Sequence, residues 1–486
     1  MKKTIFKLLA LTLALLMLLP LTMACKKDEE KPNGGESNSV STEGSAHPVP
    51  PQDLGGKEFE FATALWASYT PLTVIDVMTE EFNGEFVNDG AHNRNLYMQE
   101  TFNCTVKQVD FKETEVTTKL QQNAMAGDDA FDFVLFRGRE YIAAINGGYL
   151  SDVQNFKLNF ENSWWDKNAI ESMTINNKCF GIVGDVTTNH LNAVYITTFN
   201  KKLIENNKLD DPYKLVEEGK WTWSKMVEMS RKFASLDSST VRDKENAQNW
   251  GINYTSDVVT GILTACGVKV VDKNAATGEL SLVYANYQSD IQDILTGLYD
   301  RSHSGNTFLS YLRCPDTDTE LFDKGQVLFL LTATHNAGSL RKSDVDYGIL
   351  PYPKYTESAN YCPSTASMFS TVLGLPLSNT DVDRCSVFLE AYAAQGQKLV
   401  RPQFYENVLL RKVGRDMESF DMLQYIFENL TYDVGVVYDL VGPETRGTAS
   451  SENTDISSFM GGNRFTWRGE LDDLVEAYSK TAEEAQ

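Results

Sequence analysis

Residues 57–136 constrain the fold most, because the apolar period along them switches repeatedly between that of a strand and that of a helix. Glu58-Phe59-Glu60-Phe61 alternates with a period of two and reads as a strand. A long polar helix is expected through Arg94, Leu96 and Phe102, then a strand at 105–111. Val116, Leu120 and Ala124 follow four residues apart, which places them on one helical face. Residues 131–136 (FDFVLF) form a short apolar strand. Strand–helix–strand–helix–strand order predicts an α/β lobe with a largely parallel sheet.

A second series follows. Strands are expected at 179–183, 193–199, 250–253, 327–331, 347–350 and 369–375. Thr222 or Ser224 is positioned to cap a helix that buries Met226, Met229 and Phe233. Residues 380–383 (TDVD) read as a capping-box-like start to a helix through Phe388 and Tyr392. The end of the chain is helical, with one stripe at Phe420, Leu423, Ile426 and Leu430 and another at Leu471, Leu474 and Tyr478. About 430 residues beyond position 56 exceed what one core usually supports, so two lobes are expected.

The first 25 residues carry a separate message. Lys2, Lys3 and Lys7 form a basic head, and residues 8–23 are almost wholly apolar up to Ala24-Cys25. A secretory signal peptide has this layout. The apolar run is about 16 residues and holds Pro20, against about 20 for a membrane span. Leu21, Ala24 and Cys25 resemble the lipobox of bacterial lipoproteins, although Thr22-Met23-Ala24 departs from its usual order. That resemblance implies lipid, such as palmitate, on Cys25 and a place on the extracytoplasmic face of the cell membrane. Residues 26–56, rich in Gly, Ser, Pro and Glu, cannot bury enough apolar surface to order and read as a flexible stalk.

Loss of the leader takes away three lysines and leaves 41 basic against 67 acidic residues, a net of −26. Such a charge excludes nucleic acid as a partner and opposes adsorption to anionic lipid, so an anchor would have to hold the chain at a membrane. Cys104, Cys179, Cys266, Cys314, Cys362 and Cys385 are spaced widely, with no zinc-type cluster. Disulfides and buried thiols both remain open.

Residues 131–136 (FDFVLF), 148–152 (GYLSD), 199–203 (FNKKL), 221–223 (WTW), 322–326 (FDKGQ) and 347–353 (YGILPYP) occur in an order that resembles the extracellular solute-binding proteins of ABC importers, family 1, the maltodextrin-binding type. The resemblance covers most of residues 57–400. It implies a periplasmic-binding-protein-like fold of two α/β lobes, with a hinge and an interlobe cleft. The expected organisation is a signal peptide over 1–24 and an anchored linker over 25–56. One lobe is expected from 57–189 with 364–410, the other from 190–363 with 411–486. It also implies a monomer that hands a sugar or oligosaccharide to ABC permease subunits, without cofactor or metal.

In open α/β sheets, ligands sit beyond the carboxyl ends of strands. That rule selects Trp66 and Tyr69 after the first strand, and Arg137, Arg139 and Tyr141 after residues 131–136. It further selects Asp185, Asn189 and His190, then Tyr254, and then Thr334, His335 and Asn336. Flat aromatics with Asp, Asn and Arg suit the C–H faces and hydroxyl rims of sugars. Trp164-Trp165 reads as a packed surface cluster, and Trp221 and Trp223 as structural.

Catalysis finds little support: G-x-S-x-G, H-E-x-x-H and a glycine-rich phosphate loop are all missing from the sequence. The expectation is a binding protein and not an enzyme. Two rivals stand beside it. One is a glycan-binding surface lipoprotein without a transport role, similar to helical-repeat starch-binding lipoproteins, which the strand–helix alternation opposes. The other is a secreted glycan hydrolase using a carboxylate pair.

Overall fold

The computed structural model describes residues 48–65, 74, 76–112, 115–234, 249–255, 258–299, 308–311, 319–340, 343–366, 371–405, 417–450 and 455–480. Its first sheet holds β1 (Lys57–Leu65), β2 (Cys104–Lys112), β3 (Phe133–Arg137) and β11 (Thr371–Gly374), in the order β11-β3-β1-β2. The first three run parallel, with Lys57 opposite Cys104 and Phe61 opposite Phe133, while β11 is antiparallel to β3. The alternation in β1 has its expected outcome: Phe59 and Phe61 are fully buried. Their rings meet Phe133 and Phe388, with centroids 4.7 Å apart for Phe61–Phe133 and 4.0 Å for Phe59–Phe388. Helix Val382–Gln395 therefore closes one face of this sheet through Phe388 and Tyr392.

The second sheet has the order β10-β4-β9-β5-β8, from β10 (Tyr347–Leu350), β4 (Tyr195–Asn200), β9 (Val327–Ala333), β5 (Trp250–Thr255) and β8 (Phe308–Tyr311). β4 is antiparallel to both neighbours, whereas β9, β5 and β8 are mutually parallel; β6 (Val271–Lys273) and β7 (Leu280–Leu282) form a separate antiparallel pair. Every residue of β9 is buried, which explains its unbroken apolar run. Thr222 accepts the Lys225 N–H through Oγ1 at 3.2 Å, so it caps helix Trp223–Ala234. Trp221 is wholly buried and donates its indole N–H to the Pro351 carbonyl at 3.0 Å.

Two neighbouring segments carry the chain between the sheets. Ile182 pairs with Leu373 near the first sheet and Val194 with Thr365 near the second. Asn189 adds a side-chain tie, donating through Nδ2 to Thr371 Oγ1 at 2.7 Å. Arg94, fully buried on helix Phe86–Phe102, anchors the first crossing segment. Its guanidinium donates to the carbonyls of Val186 at 2.9 Å, Asp76 and Val77, and stacks 3.8 Å from the Tyr392 ring.

Two local expectations change. Residues 179–183 make only isolated bridge pairs, Ile182 with Leu373 among them, because among the described residues no strand runs alongside the whole segment. The capping-box side chain at Asp381 does not cap its helix; it pairs with Lys57 and Arg384 instead. The late stripes pack as expected, with Leu423 and Ile426 fully buried on helix Met417–Glu428. Helix Ile456–Ser479 touches both halves: Trp467 meets Tyr284, and Tyr478 donates to the Met173 carbonyl at 3.0 Å. Cys104, Cys179, Cys266, Cys362 and Cys385 are free thiols, and Cys314 lies outside the described residues. Among the described residues no helix is long and apolar enough to cross a membrane, and no group of three His, Cys, Asp or Glu could hold a metal.

Candidate functional site

The first crossing segment borders two cavities. Val183 faces a small one of about 20 Å³, and the next residues, Gly184 and Asp185, face a large one of about 610 Å³. The chain turns at Asp185 and Val186, so one short stretch walls both.

The small compartment begins at the end of β3. Gly138 lines it together with Val183, Thr365, Val372, Tyr432 and Val436. Arg137, the last residue of β3, is only 4% exposed and lies in register with Thr371. From Thr371 a polar row runs across the crossing. Asn189 bonds Thr371, Asn192 donates to Asn189 Oδ1 at 3.3 Å, and the Asn192 carbonyl lies 3.0 Å from His335 Nδ1. Three residues selected from the sequence, Arg137, Asn189 and His335, thus fall on one connected path. Asn192, the link between them, was not selected. Asn336 sits beside His335 and donates to Thr332 Oγ1 at 2.9 Å.

Asp185 and His190 line the large compartment. Arg401 approaches Asp185 at 3.2 Å and also donates from Nε to the Tyr405 hydroxyl at 3.0 Å. Burial pushes the Asp185 carboxyl up to about 6 despite the opposing pull of Arg401. Burial lowers His190 to about 3, so its imidazole is neutral, and Nδ1, 2.8 Å from the Thr187 carbonyl, must carry the proton. Trp164 and Trp165 form another wall, and Phe420 and Phe427 of helix Met417–Glu428 face them.

The remaining selected residues go elsewhere. Tyr141 is fully buried with its ring 5.9 Å from that of Tyr438, and this burial holds its phenol well above the ordinary range. Tyr254 is buried in the second sheet and donates to the Leu298 carbonyl at 3.4 Å. Arg139 lies in the first turn of helix Gly138–Asn146. Trp66 and Tyr69 lie outside the described residues. Besides Asn192, the sequence reading missed Arg401, Tyr405 and Glu390. The Trp164-Trp165 doublet was visible but gave no sign of which cavity it would wall.

No family model matches this sequence, and no curated protein matches it. Solved structures do match its fold. One is the galacto-N-biose-/lacto-N-biose I-binding protein of an ABC transporter from Bifidobacterium longum, in complex with lacto-N-biose. It is 12% identical, with a TM-score of 0.59 over 87% of this chain and 99% of that one. Another is the GacH receptor of Streptomyces glaucescens, solved with acarbose: 12% identity, TM-score 0.55, 86% and 99% covered. A third is the cyclic α-maltosyl-1,6-maltose binding protein of Arthrobacter globiformis: 11% identity, TM-score 0.53, 87% and 97% covered. The chain has the two-lobed α/β fold of these binding proteins.

Proposed function

We propose that this protein is a lipid-anchored substrate-binding protein on the extracytoplasmic face, capturing a sugar or oligosaccharide for an ABC permease. The observation that carries the reading is the hinge: two antiparallel crossing segments, bridged at Ile182–Leu373 and Val194–Thr365, join two α/β sheets around an interlobe space. Such a joint lets lobes close over a small polar ligand and reports occupancy to a membrane partner. The likeness in fold to three sugar-binding proteins of this kind supports the ligand class.

The ligand is assigned to the interlobe space around Arg137, Asn189, His335 and Asn336, with Trp66 and Tyr69 added from the residues after β1 and Arg139 from the first turn of helix Gly138–Asn146; the small compartment of about 20 Å³ beside Gly138 has room for no more than about one water and is not itself the site. The lobes are taken as residues 57–189 with 364–410 and 190–363 with 411–486. Anchoring rests on the Ala24-Cys25 motif. Cys25→Ser is expected to release the protein or leave an uncleaved precursor, and fatty-acid labelling that marks wild type and variant alike would refute the anchor.

A thermal-shift screen over sugars, oligosaccharides, peptides and phosphates tests the ligand class. Small-angle scattering then tests closure: the radius of gyration is expected to fall when the ligand found in the screen is added. A tight binder that leaves the scattering curve unchanged, or turnover of a glycan by the purified protein, would overturn the assignment.

A further inference from the structure

Behind one wall of the large compartment lies a carboxylate that the proposed function leaves unused. Glu390, on helix Val382–Gln395, is only 8% exposed. Its Oε2 accepts the indole N–H of Trp164 at 2.9 Å and the Asn162 amide at 3.0 Å. Its Oε1 accepts the indole N–H of Trp165 at 3.1 Å and the backbone N–H of Asn159. No cation pairs with it among the described residues. A buried carboxylate is costly unless it is fully hydrogen-bonded. Here four donors satisfy it, and two of them are adjacent indoles. Trp165 is buried while Trp164 stays partly exposed, held by its N–H with its ring at the wall of the cavity.

The rest of that wall supplies complementary chemistry. Asp185 and Arg401 place an acceptor and a donor side by side, and Phe420 and Phe427 add apolar surface. A volume of about 610 Å³ falls within the range of small-molecule sites. Aromatic faces beside a paired acid and base match a ring with C–H faces and a hydroxyl rim.

We propose that this compartment is a second binding site, for a neutral sugar ring, in which Trp164 supplies the stacking face and Glu390 is its positioning residue. The inference rests on the proposed function only for the class of ligand, since none of Arg137, Asn189, His335 and Asn336 lines this compartment.

The experiment is calorimetric titration of the mature chain with millimolar maltose, repeated with lacto-N-biose. Saturable binding of at least one sugar is expected, weakened about tenfold or more by Trp164→Ala. Gln424→Trp fills the cavity from its exposed rim without touching the core, so it should abolish this event at an unchanged melting temperature. Glu390→Gln offers one acceptor where two indoles need one each. It should weaken binding by about tenfold and shift tryptophan emission in the free protein. Absence of binding by either sugar overturns the proposal, as does full affinity in Gln424→Trp. Binding lost only in Arg137→Ala also overturns it, while leaving the proposed function standing.

Discussion

The two compartments along the crossing segment differ in both volume and chemistry. The small one is walled by Gly138, valines, threonines, Met173 and Tyr432, and nearby Thr371, Asn189 and Asn192 are tied to one another by side-chain hydrogen bonds. The large one is walled by indoles, phenyl rings and the Asp185–Arg401 pair. A rule that places ligands beyond strand ends selects Asp185 and His190, which line the large compartment, as well as Arg137 and Asn189, which do not, because the chain turns at Asp185 and Val186 within the crossing segment. It picks out a level in the fold, and the neighbouring elements decide which way each side chain turns.

The segment shared by the compartments offers the most severe way to break this contrast. Arg94→Ala removes the donor to three buried carbonyls and the stack on Tyr392, so a loss of about 3–5 kcal/mol in unfolding free energy is expected by chemical denaturation. A loss below about 1 kcal/mol would mean that the crossing is held elsewhere.

Arg137→Ala sharpens the contrast from the side of the small compartment. It should cost about 1.5–3 kcal/mol of affinity for the ligand found by screening, roughly tenfold to 150-fold. The side chain is buried, so a fall in melting temperature should accompany the loss. Wild-type affinity in this variant would remove Arg137 from the site.

The large compartment has its own signature in pH. Asp185 titrates near 6 when folded against 3.8 when free, so its contribution to stability is present below about pH 4 and is lost as pH rises through 6. His190 titrates near 3 against 6.5, so its contribution is present above pH 6.5 and is lost as pH falls toward 3. Between pH 4 and 6 the two slopes oppose each other. Asp185→Asn should therefore make stability rise more steeply with pH over that window, by about 1.4 kcal/mol per unit, and His190→Gln should do the reverse. Denaturant midpoints at pH 4.5 and 6 read the slopes, and parallel curves for all three proteins would contradict the assignment. The smallest effect belongs to Thr371→Val, which removes one hydrogen bond between the crossing segments: about 1 kcal/mol, measured by thermal melts.

Legibility in the sequence followed the range of the interactions. The two-residue alternation at Phe59 and Phe61 and the four-residue stripe at Leu423 and Ile426 report burial that neighbours along the chain already impose, and both recur in the structure. The expected strand at 179–183 fell short because an apolar run shows tolerance for a strand and does not show whether a partner runs alongside it. The aromatics Tyr141 and Tyr254, near strand ends, went into the core for a similar reason: Tyr141 packs against Tyr438, almost 300 residues later.

The sequence by itself determined the alternation of strands and helices, the first sheet's largely parallel character and the apolar leader with its cysteine, because each is written in periodicities or contiguous composition. Tertiary structure alone decided that β11 returns to lie beside β3, that Arg94 reaches the crossing at Val186, and that Glu390 holds Trp164 and Trp165. The physical reason is the partner requirement of buried polar groups. Their positions are set by where hydrogen-bond partners arrive in space, and those partners come from segments about 90 to 240 residues away, beyond the reach of any local pattern.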